Sequence, residues 1–557
     1  SGTSGSSRRQ SASLYRAGSE RGRGEQHWAI PLLSFARPTV TDHHEAFYLL
    51  LSLFCYVTHL SLSLSLSVSL SFRLSFLFSL CFCVSIVFLF YFLLVLLFKM
   101  GILHILVAGL LVAGAGHIVW RTMQEPPPPF IDPNPWWGPG ERQKEDTTVR
   151  PFKIDVSKAD LDDLKARLAL PLRLTPALKD ANFTYGFTDT TLDAVVKYWR
   201  TKYDWKKREE RLNSYPHFKT QIEGLDIHFL RAAAKAGPGV TVVPLLMVHG
   251  WPGSVVEFYN ILPLLTTPQE GSGVAFEVIC PSIPGYAFSQ ASAKQGLGDL
   301  QTAQIFLKLM KRLGYEKFFV QGGDWGSLIV TDMATLYPEN VLGIHINMAL
   351  ISTTGRMLKA ILGSVLPAGL VVDAKDQHKV YPMWEKTSMF LRETGYLHIQ
   401  STKPDTIGAA VNQLPVSLAV YILEKFSTWT HKENPHLPDG GLLQPDFPIP
   451  LDQILDNICV YWFTGSITSS MRFYAEYFGK VLTRTIDNIP VRVPTGIGAF
   501  PQELGVDPKN FLAHKFYDIV TYRDHPAGGH FAAMERPHLL ASDIHTFVKA
   551  VRQRQIH

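Results

Sequence analysis

The sequence predicts an α/β protein on a mostly parallel sheet, with a helical lid, an N-terminal cap region and an N-terminal transmembrane helix. Three observations predict it. Short apolar runs alternate with turns and helical stretches between residues 236 and 350. A Gly-rich turn, Gly322-Gly323-Asp324-Trp325-Gly326, follows one of those runs, and a second, Gly528-Gly529-His530-Phe531, stands near the C-terminus. The 20 residues from Gly101 to Trp120 contain no Asp, Glu, Lys or Arg.

Composition narrows the class. A chain of 557 residues, 46% hydrophobic and 18% charged, reads as globular. The formal net charge of +5 is not gathered into a basic patch interleaved with aromatics, so no nucleic-acid partner is expected. Cys55, Cys81, Cys83, Cys280 and Cys459 form neither a disulfide framework nor a metal-binding spacing. No metal or cofactor is expected.

Residues 1–99 run through a Ser/Arg/Gly-rich stretch into Leu-Ser alternation from Leu60 and an uncharged run from Leu74 to Phe98. A strict dipeptide repeat offers no face to pack, and a CT-type nucleotide repeat would translate this way. We expect this to be translated upstream sequence, with Met100 the start. Residues 100–121 are then a membrane anchor, since about 20 apolar residues cross a bilayer core. A cleaved signal peptide fits less well, because the run is long and lacks a positive flank before it. Arg121, Arg142, Lys144, Arg150 and Lys153 put positive charge after the helix, which favours a cytoplasmic catalytic domain. Residues 122–149 are a Pro-rich linker, whose Pro126–Gly140 stretch cannot form helix. Trp136 and Trp137 within it fit either the membrane interface or the domain surface.

Ser157, with Asp160 three residues on, starts a capping pattern, and Leu161, Leu164 and Leu168 share a helical face. This opens a cap region, 150–235, read as amphipathic helices. Residues 236–350 hold the first part of the sheet: strands are expected at Pro244–Val248, Phe276–Cys280 and Phe318–Gln321, then a helix to Tyr337. Residues 351–480 are helical and aromatic, as a lid would be. Residues 481–557 return to the sheet at Val491–Phe500 and finish in a loop and helix.

Gly322 to Gly326 has the small-x-nucleophile-x-small spacing of a sharp strand-to-helix turn. Here the centre is Asp324, which changes the chemistry: a carboxylate attacks an sp³ carbon and leaves an ester on the enzyme. The bland alternative is a Gly-rich turn with Asp324 as helix cap. His530, on a Gly-Gly loop, is the candidate general base, ahead of its neighbour His525. A carboxylate must hold its tautomer. Glu503 is preferred because it follows the strand ending at Phe500, with Asp507 second and Asp524 behind. His249-Gly250-Trp251-Pro252-Gly253 follows a strand as an oxyanion loop would, with substrate contacts expected at Trp251, Pro252 and Trp325. Backbone N–H groups of Trp251 and Trp325 would then each contribute ~3 kcal/mol toward a tetrahedral oxyanion. A turn this tight accommodates a cis Trp251–Pro252 bond. Opening an epoxide also needs an acid, and a neutral tyrosine can donate to the ring oxygen. Tyr396 and Tyr474 lie in the lid, though composition does not single them out among 20 tyrosines.

The set HGWPGS, GGDWGS, RETGYLHIQSTKPDT, RFY and GGHFAAMERP closely resembles the microsomal epoxide hydrolase family, including insect and crustacean juvenile-hormone epoxide hydrolases. The likeness runs from Met100 to His557 and leaves out residues 1–99. It implies an α/β-hydrolase fold and anchoring in the endoplasmic reticulum membrane facing the cytosol. By it Asp324 matches the nucleophile, His530 the base, Glu503 the acid, and Tyr396 and Tyr474 the proton donors. The partners implied are a small lipophilic epoxide, water and a lipid bilayer. Two other readings compete. A haloalkane dehalogenase also attacks with an elbow aspartate, but needs halide-binding donors in place of two tyrosines. A non-catalytic relative would bind a lipophilic hormone, against which the intact Asp324, Glu503 and His530 argue.

Overall fold

The computed structural model describes residues 107–556, apart from positions 108, 115, 118, 119, 121–123, 270–272 and 368. Residues 1–99 and most of the expected anchor at 100–121 lie outside the described residues. Among those described, no single helix is long and apolar enough to cross a membrane.

Nine strands form one sheet: β1 Arg150–Phe152, β2 His217–Ile222, β3 Leu225–Ala232, β4 Thr241–Val248, β5 Val274–Pro281, β6 Phe318–Gly322, β7 Val341–Ile346, β8 Thr495–Ala499 and β9 Ile519–Asp524. Their spatial order is β1-β2-β3-β5-β4-β6-β7-β8-β9. From β5 through β9 all neighbours are parallel, whereas β1, β2 and β3 run antiparallel on one side. Every residue of β6 and β8 is buried. Central parallel strands are covered on both faces, so they read as unbroken apolar runs rather than alternations.

The expected strands sit within β4, β5 and β6, and β8 starts four residues later than its apolar run. Two readings need correction. The segment 150–235 is not wholly helical: it holds the helices Lys158–Leu168, Asp189–Thr201 and Trp205–Leu212, but also β1, β2 and β3. β2 (HFKTQI) carries polar residues that hide its period, yet the Glu223-Gly224 pair turns it into β3 with both residues at positive φ, 53° and 84°. A two-residue hairpin turn of that kind matches the twist of its strands. The C-terminal segment is likewise not only loop and helix, because β9 adds a half-buried edge strand.

Ser157 caps its helix as read, its hydroxyl accepting from the Asp160 N–H at 3.1 Å. The linker tryptophans pack on the domain surface. Trp137 donates through its backbone and its indole to Glu223, both at 2.8 Å, and the ring of Trp136 covers Gly224.

Between β7 and β8 the chain leaves the sheet for a helical insertion that includes Pro415–Thr430, Leu451–Thr464 and Ile467–Phe478. Two sets of bonds hold it down. Asp456, fully buried, takes Arg208 of the helix Trp205–Leu212 at 2.6 Å and the hydroxyl of Tyr203, just before that helix, at 2.9 Å. Asn457 and Tyr461 donate to the carbonyls of Pro252 and Gly253, at 2.7 and 2.8 Å, in the loop after β4. The insertion is thereby tied to the C-terminal ends of the central strands, where open α/β sheets place their ligands.

Candidate active site

β6 ends in Gly322, and the helix Trp325–Leu336 begins three residues later. Asp324 between them has φ 49° and ψ −128°. A side chain in that region costs about 1–3 kcal/mol, a strain characteristic of functional turns. The flanking glycine is needed for space: a Cβ at Gly326 would collide with the Val248 carbonyl of β4. The turn lifts the Asp324 carboxylate above the strand ends, beside the loop after β4. There Oδ1 accepts from the Trp251 N–H at 2.7 Å, and the Trp325 N–H also bonds to this carboxylate. The Trp251–Pro252 bond is cis. Pro252 is buried, with its carbonyl turned to Asn457.

His249 orders the same loop. Its buried imidazole accepts the Ile283 N–H at Nε2, so Nδ1 carries the proton, which faces the Gly250 carbonyl at 3.0 Å. Burial pushes its pKa down to about 4, keeping the ring neutral in this role.

His530 meets Asp324 from the other side. Its Nε2 lies 3.7 Å from Asp324 Oδ2, and its Nδ1 lies 2.8 Å from Glu503 Oε1. When the ring is neutral, a proton on Nδ1 shared with the carboxylate leaves Nε2 as the free base. Burial alone would lower the pKa of this imidazole. The charge and hydrogen bond of Glu503, followed by Asp324, outweigh burial and hold it up at about 9. Burial also raises the Asp324 carboxyl above its usual range, against His530 and the two backbone N–H groups.

The rival candidates are occupied elsewhere. Asp507 binds Arg356 at 2.8 Å, Asp524 binds Lys379 at 2.6 Å, and His525 binds Asp543 at 3.1 Å.

Tyr396, on the helix Gly395–Thr402, and Tyr474, on the helix Ile467–Phe478, are both buried on the insertion side. Their ring centroids are 5.8 Å apart. Tyr396 stacks on Trp251 at 5.0 Å, and Tyr474 packs edge-on to Trp325 at 4.7 Å. Each phenol is thus held by the residue whose N–H touches Asp324. Burial raises both phenols well above 10, with Asp324 adding to the effect on each, so both remain protonated donors at neutral pH. The arrangement joins a buried carboxylate, a base aimed at it and two neutral acids inside an aromatic enclosure.

The family described as Epoxide hydrolase N terminus matches residues 149–258, and that described as alpha/beta hydrolase fold matches residues 243–436. Juvenile hormone epoxide hydrolase 1 of Ctenocephalides felis is 47% identical over 79% of this chain and 94% of its own length. Epoxide hydrolase 1 of Oryctolagus cuniculus is 50% identical over 75% of this chain and 93% of its own. The chain belongs to the microsomal epoxide hydrolase family. The crystal structure of juvenile hormone epoxide hydrolase from the silkworm Bombyx mori superposes with a TM-score of 0.73 at 42% identity, over 76% of this chain and 100% of that one. That of Aspergillus niger epoxide hydrolase gives 0.61 at 30% identity, over 73% and 97%.

This epoxide hydrolase surrounds its site with residues that sequence reasoning missed. Trp429 accepts the His530 N–H on its carbonyl at 3.1 Å and sets its ring 4.8 Å from the imidazole. Glu535 accepts from the N–H groups of Gly529 and Phe531 at 2.9 and 2.8 Å, one on each side of His530. Glu257 lines a small cavity with Asp324 and His530. Both glutamates are isolated acidic residues in apolar stretches (SVVEFYNIL and FAAME), and that context was the available signal. A larger cavity of about 500 Å³, lined by Lys294, Asp405, Ser469 and Arg472 among others, does not include Asp324.

Proposed function

We propose that this epoxide hydrolase opens lipophilic epoxides through an ester on Asp324 and releases vicinal diols. The observation that supports it most is the position of His530. Its Nδ1 is engaged by Glu503 while its Nε2 stands 3.7 Å from the Asp324 carboxylate, too far for a strong hydrogen bond and near enough to serve a water at the same carbon.

Tyr396 and Tyr474 hydrogen-bond the ring oxygen. Asp324 Oδ2, the oxygen not tied to Trp251, attacks a ring carbon as the carbon–oxygen bond breaks, and the alkoxide takes a proton from a tyrosine. His530 then removes a proton from water as the water oxygen bonds to Asp324 Cγ. The N–H groups of Trp251 and Trp325 stabilise the oxyanion. When the intermediate collapses, the leaving diol oxygen takes the proton from His530. The proton given up as Asp324 returns to carboxylate restores the tyrosine. Ester formation cancels the Asp324 charge that helps hold the His530 pKa up, so the imidazole becomes a freer base when it must take a proton.

One turnover in ¹⁸O water should give a diol carrying ¹⁶O from Asp324. Full solvent label in that first turnover would refute the ester. His530→Gln should let the ester accumulate, visible as an added mass on the intact protein.

In this reading residues 351–480 act as the lid, and residues 100–121 anchor the enzyme in the endoplasmic reticulum membrane with its catalytic domain in the cytoplasm. The uncharged run and the cations after it support the anchor; carbonate extraction and protease protection test it. The named relatives act on juvenile hormone in one case and bear the general name epoxide hydrolase in another. Terpenoid and xenobiotic epoxides are both candidate substrates, to be ranked by kcat/KM on one preparation.

A further inference from the structure

Behind Asp324 lies a cavity with about 20 Å³ open to a water molecule. That is room for one. Its polar side chains are Glu257, Gln321, Asp324, Asn347, His530 and His249, the last with both ring nitrogens already bonded to Gly250 and Ile283. A buried water needs two to four such partners.

Two of these groups are poised for a ligand. Gln321 is 1% exposed, its Nε2 donates to Asn347 Oδ1 at 2.8 Å, and its Oε1 has no hydrogen-bond partner among the described residues. A buried acceptor left without a partner costs free energy, so it calls for a donor from the cavity. Glu257 reaches the cavity from the short helical turn Val255–Phe258, after the oxyanion loop. Its carboxyl folds back over that loop so closely that a Cβ at Gly253 would collide with Oε1. The glycine at 253 is what gives this carboxyl its place.

We propose that Glu257 and Gln321 hold the hydrolytic water in this cavity, with one proton toward His530 Nε2 and a lone pair toward Asp324 Cγ. This rests on the two-step reaction above. The water has a proton to give His530 and one for Gln321 Oε1, and the Glu257 carboxyl orients it as a hydrogen-bond partner. Burial pushes Glu257 up to about 8, against the attraction of His530 and helped by the charges of Asp324 and Glu503. At neutral pH it is therefore largely the neutral acid, which donates and accepts as a glutamine would.

The two steps separate in a rapid-mixing experiment on the full chain, reading ester formation by tryptophan fluorescence and quenched mass spectrometry, then ester decay. In Glu257→Leu the ester should form at the wild-type rate and decay at least about tenfold more slowly, the range expected for losing assistance to a proton transfer. Glu257→Gln should decay within about threefold of wild type, since the amide copies the neutral acid. Gly253→Ala, which leaves Glu257 in the chain but displaces its carboxyl, should slow decay as Glu257→Leu does. Gln321→Met repeats the measurement from the opposite wall if Glu257→Leu does not fold. Unchanged decay in Glu257→Leu, Gly253→Ala and Gln321→Met, decay in Glu257→Gln as slow as in Glu257→Leu, or equal slowing of formation and decay, would overturn the proposal. Absence of any ester in wild type would instead overturn the two-step reading on which it stands.

Discussion

Glu535 grips the chain on both sides of His530: one carboxylate oxygen accepts from the Gly529 N–H and the other from the Phe531 N–H, at 2.9 and 2.8 Å. A histidine that follows two glycines in a loop has a backbone with more conformational freedom than most. The carboxylate converts that loop into a fixed mount, and its own helix, Ala532–Glu535, follows directly in the chain.

Burial raises Glu535 to about 8, so above that pH it is the carboxylate whose two oxygens both accept. A glutamine accepts only through its carbonyl oxygen, so in that range one backbone N–H loses its partner. Glu535→Gln should slow ester decay by roughly 10- to 100-fold, the scale of a misplaced general base, with ester formation little changed. Stopped-flow ester kinetics measure both rates. Unaltered decay would mean that Trp429 alone holds the loop.

The two phenols should matter to the first step. Tyr396→Phe or Tyr474→Phe leaves one donor to the ring oxygen, and loss of such a donor costs about 2.7–4 kcal/mol at an oxyanion site, or about 10²–10³ in rate. The double variant should form no detectable ester with an epoxide. Retained ester formation in the double variant would sink the acid role.

The pH dependence follows from His530. Its pKa in the resting enzyme is held at about 9 by Glu503 and Asp324 against burial, and must be neutral for water activation. Ester decay should therefore rise with pH through the neutral range. Its midpoint should lie below 9, because the ester no longer carries the Asp324 charge. Glu503→Gln removes the leading cause of the elevation and should move the limb toward acid. A decay rate flat from pH 6 to 9 would contradict this assignment.

The same shift has a stability side. An imidazole with its folded pKa raised from 6.5 to about 9 contributes stability fully present below 6.5 and lost as pH rises through 9. Glu535, raised from 4.5 to about 8 chiefly by burial, adds a loss between those values. Urea midpoints should accordingly fall less steeply above pH 5 in Glu535→Gln than in wild type. Parallel curves would show that Glu535 does not titrate in that window.

Arg484, 6% exposed in its side chain, reaches Asp299 at 2.6 Å and Asp332 and Asp487 at 3.2 Å. It ties the end of the helical insertion to the helix that follows Asp324. Arg484→Met would strand buried carboxylates and should destabilise the fold by about 3–5 kcal/mol. Chemical denaturation checks this; a loss under ~1 kcal/mol would mean the acids simply take up protons.

The central strands were legible because burial on both faces leaves an uninterrupted apolar run. The elbow and the His530 loop were legible because sharp turns demand glycine in the chain itself, beside Asp324 and His530. β2 and β3 were harder. His217, Lys219, Thr220 and Gln221 break the apolar pattern, and only their pairing across the Glu223-Gly224 turn makes them strands.

The amino-acid order by itself determined the local chemistry: which turns were sharp, which residue stood at their centre, and where the central strands gave way to helix. Those features depend on neighbours a few positions apart. Only the tertiary structure decided that Glu503 and not Asp507 faces His530, that Tyr396 and Tyr474 come together over Asp324, and that Glu257 and Gln321 share a cavity behind it. Each of those choices is a distance between residues separated in the chain, fixed by the strand order of the sheet for the first and third and by packing of the insertion against the strand ends for the tyrosines.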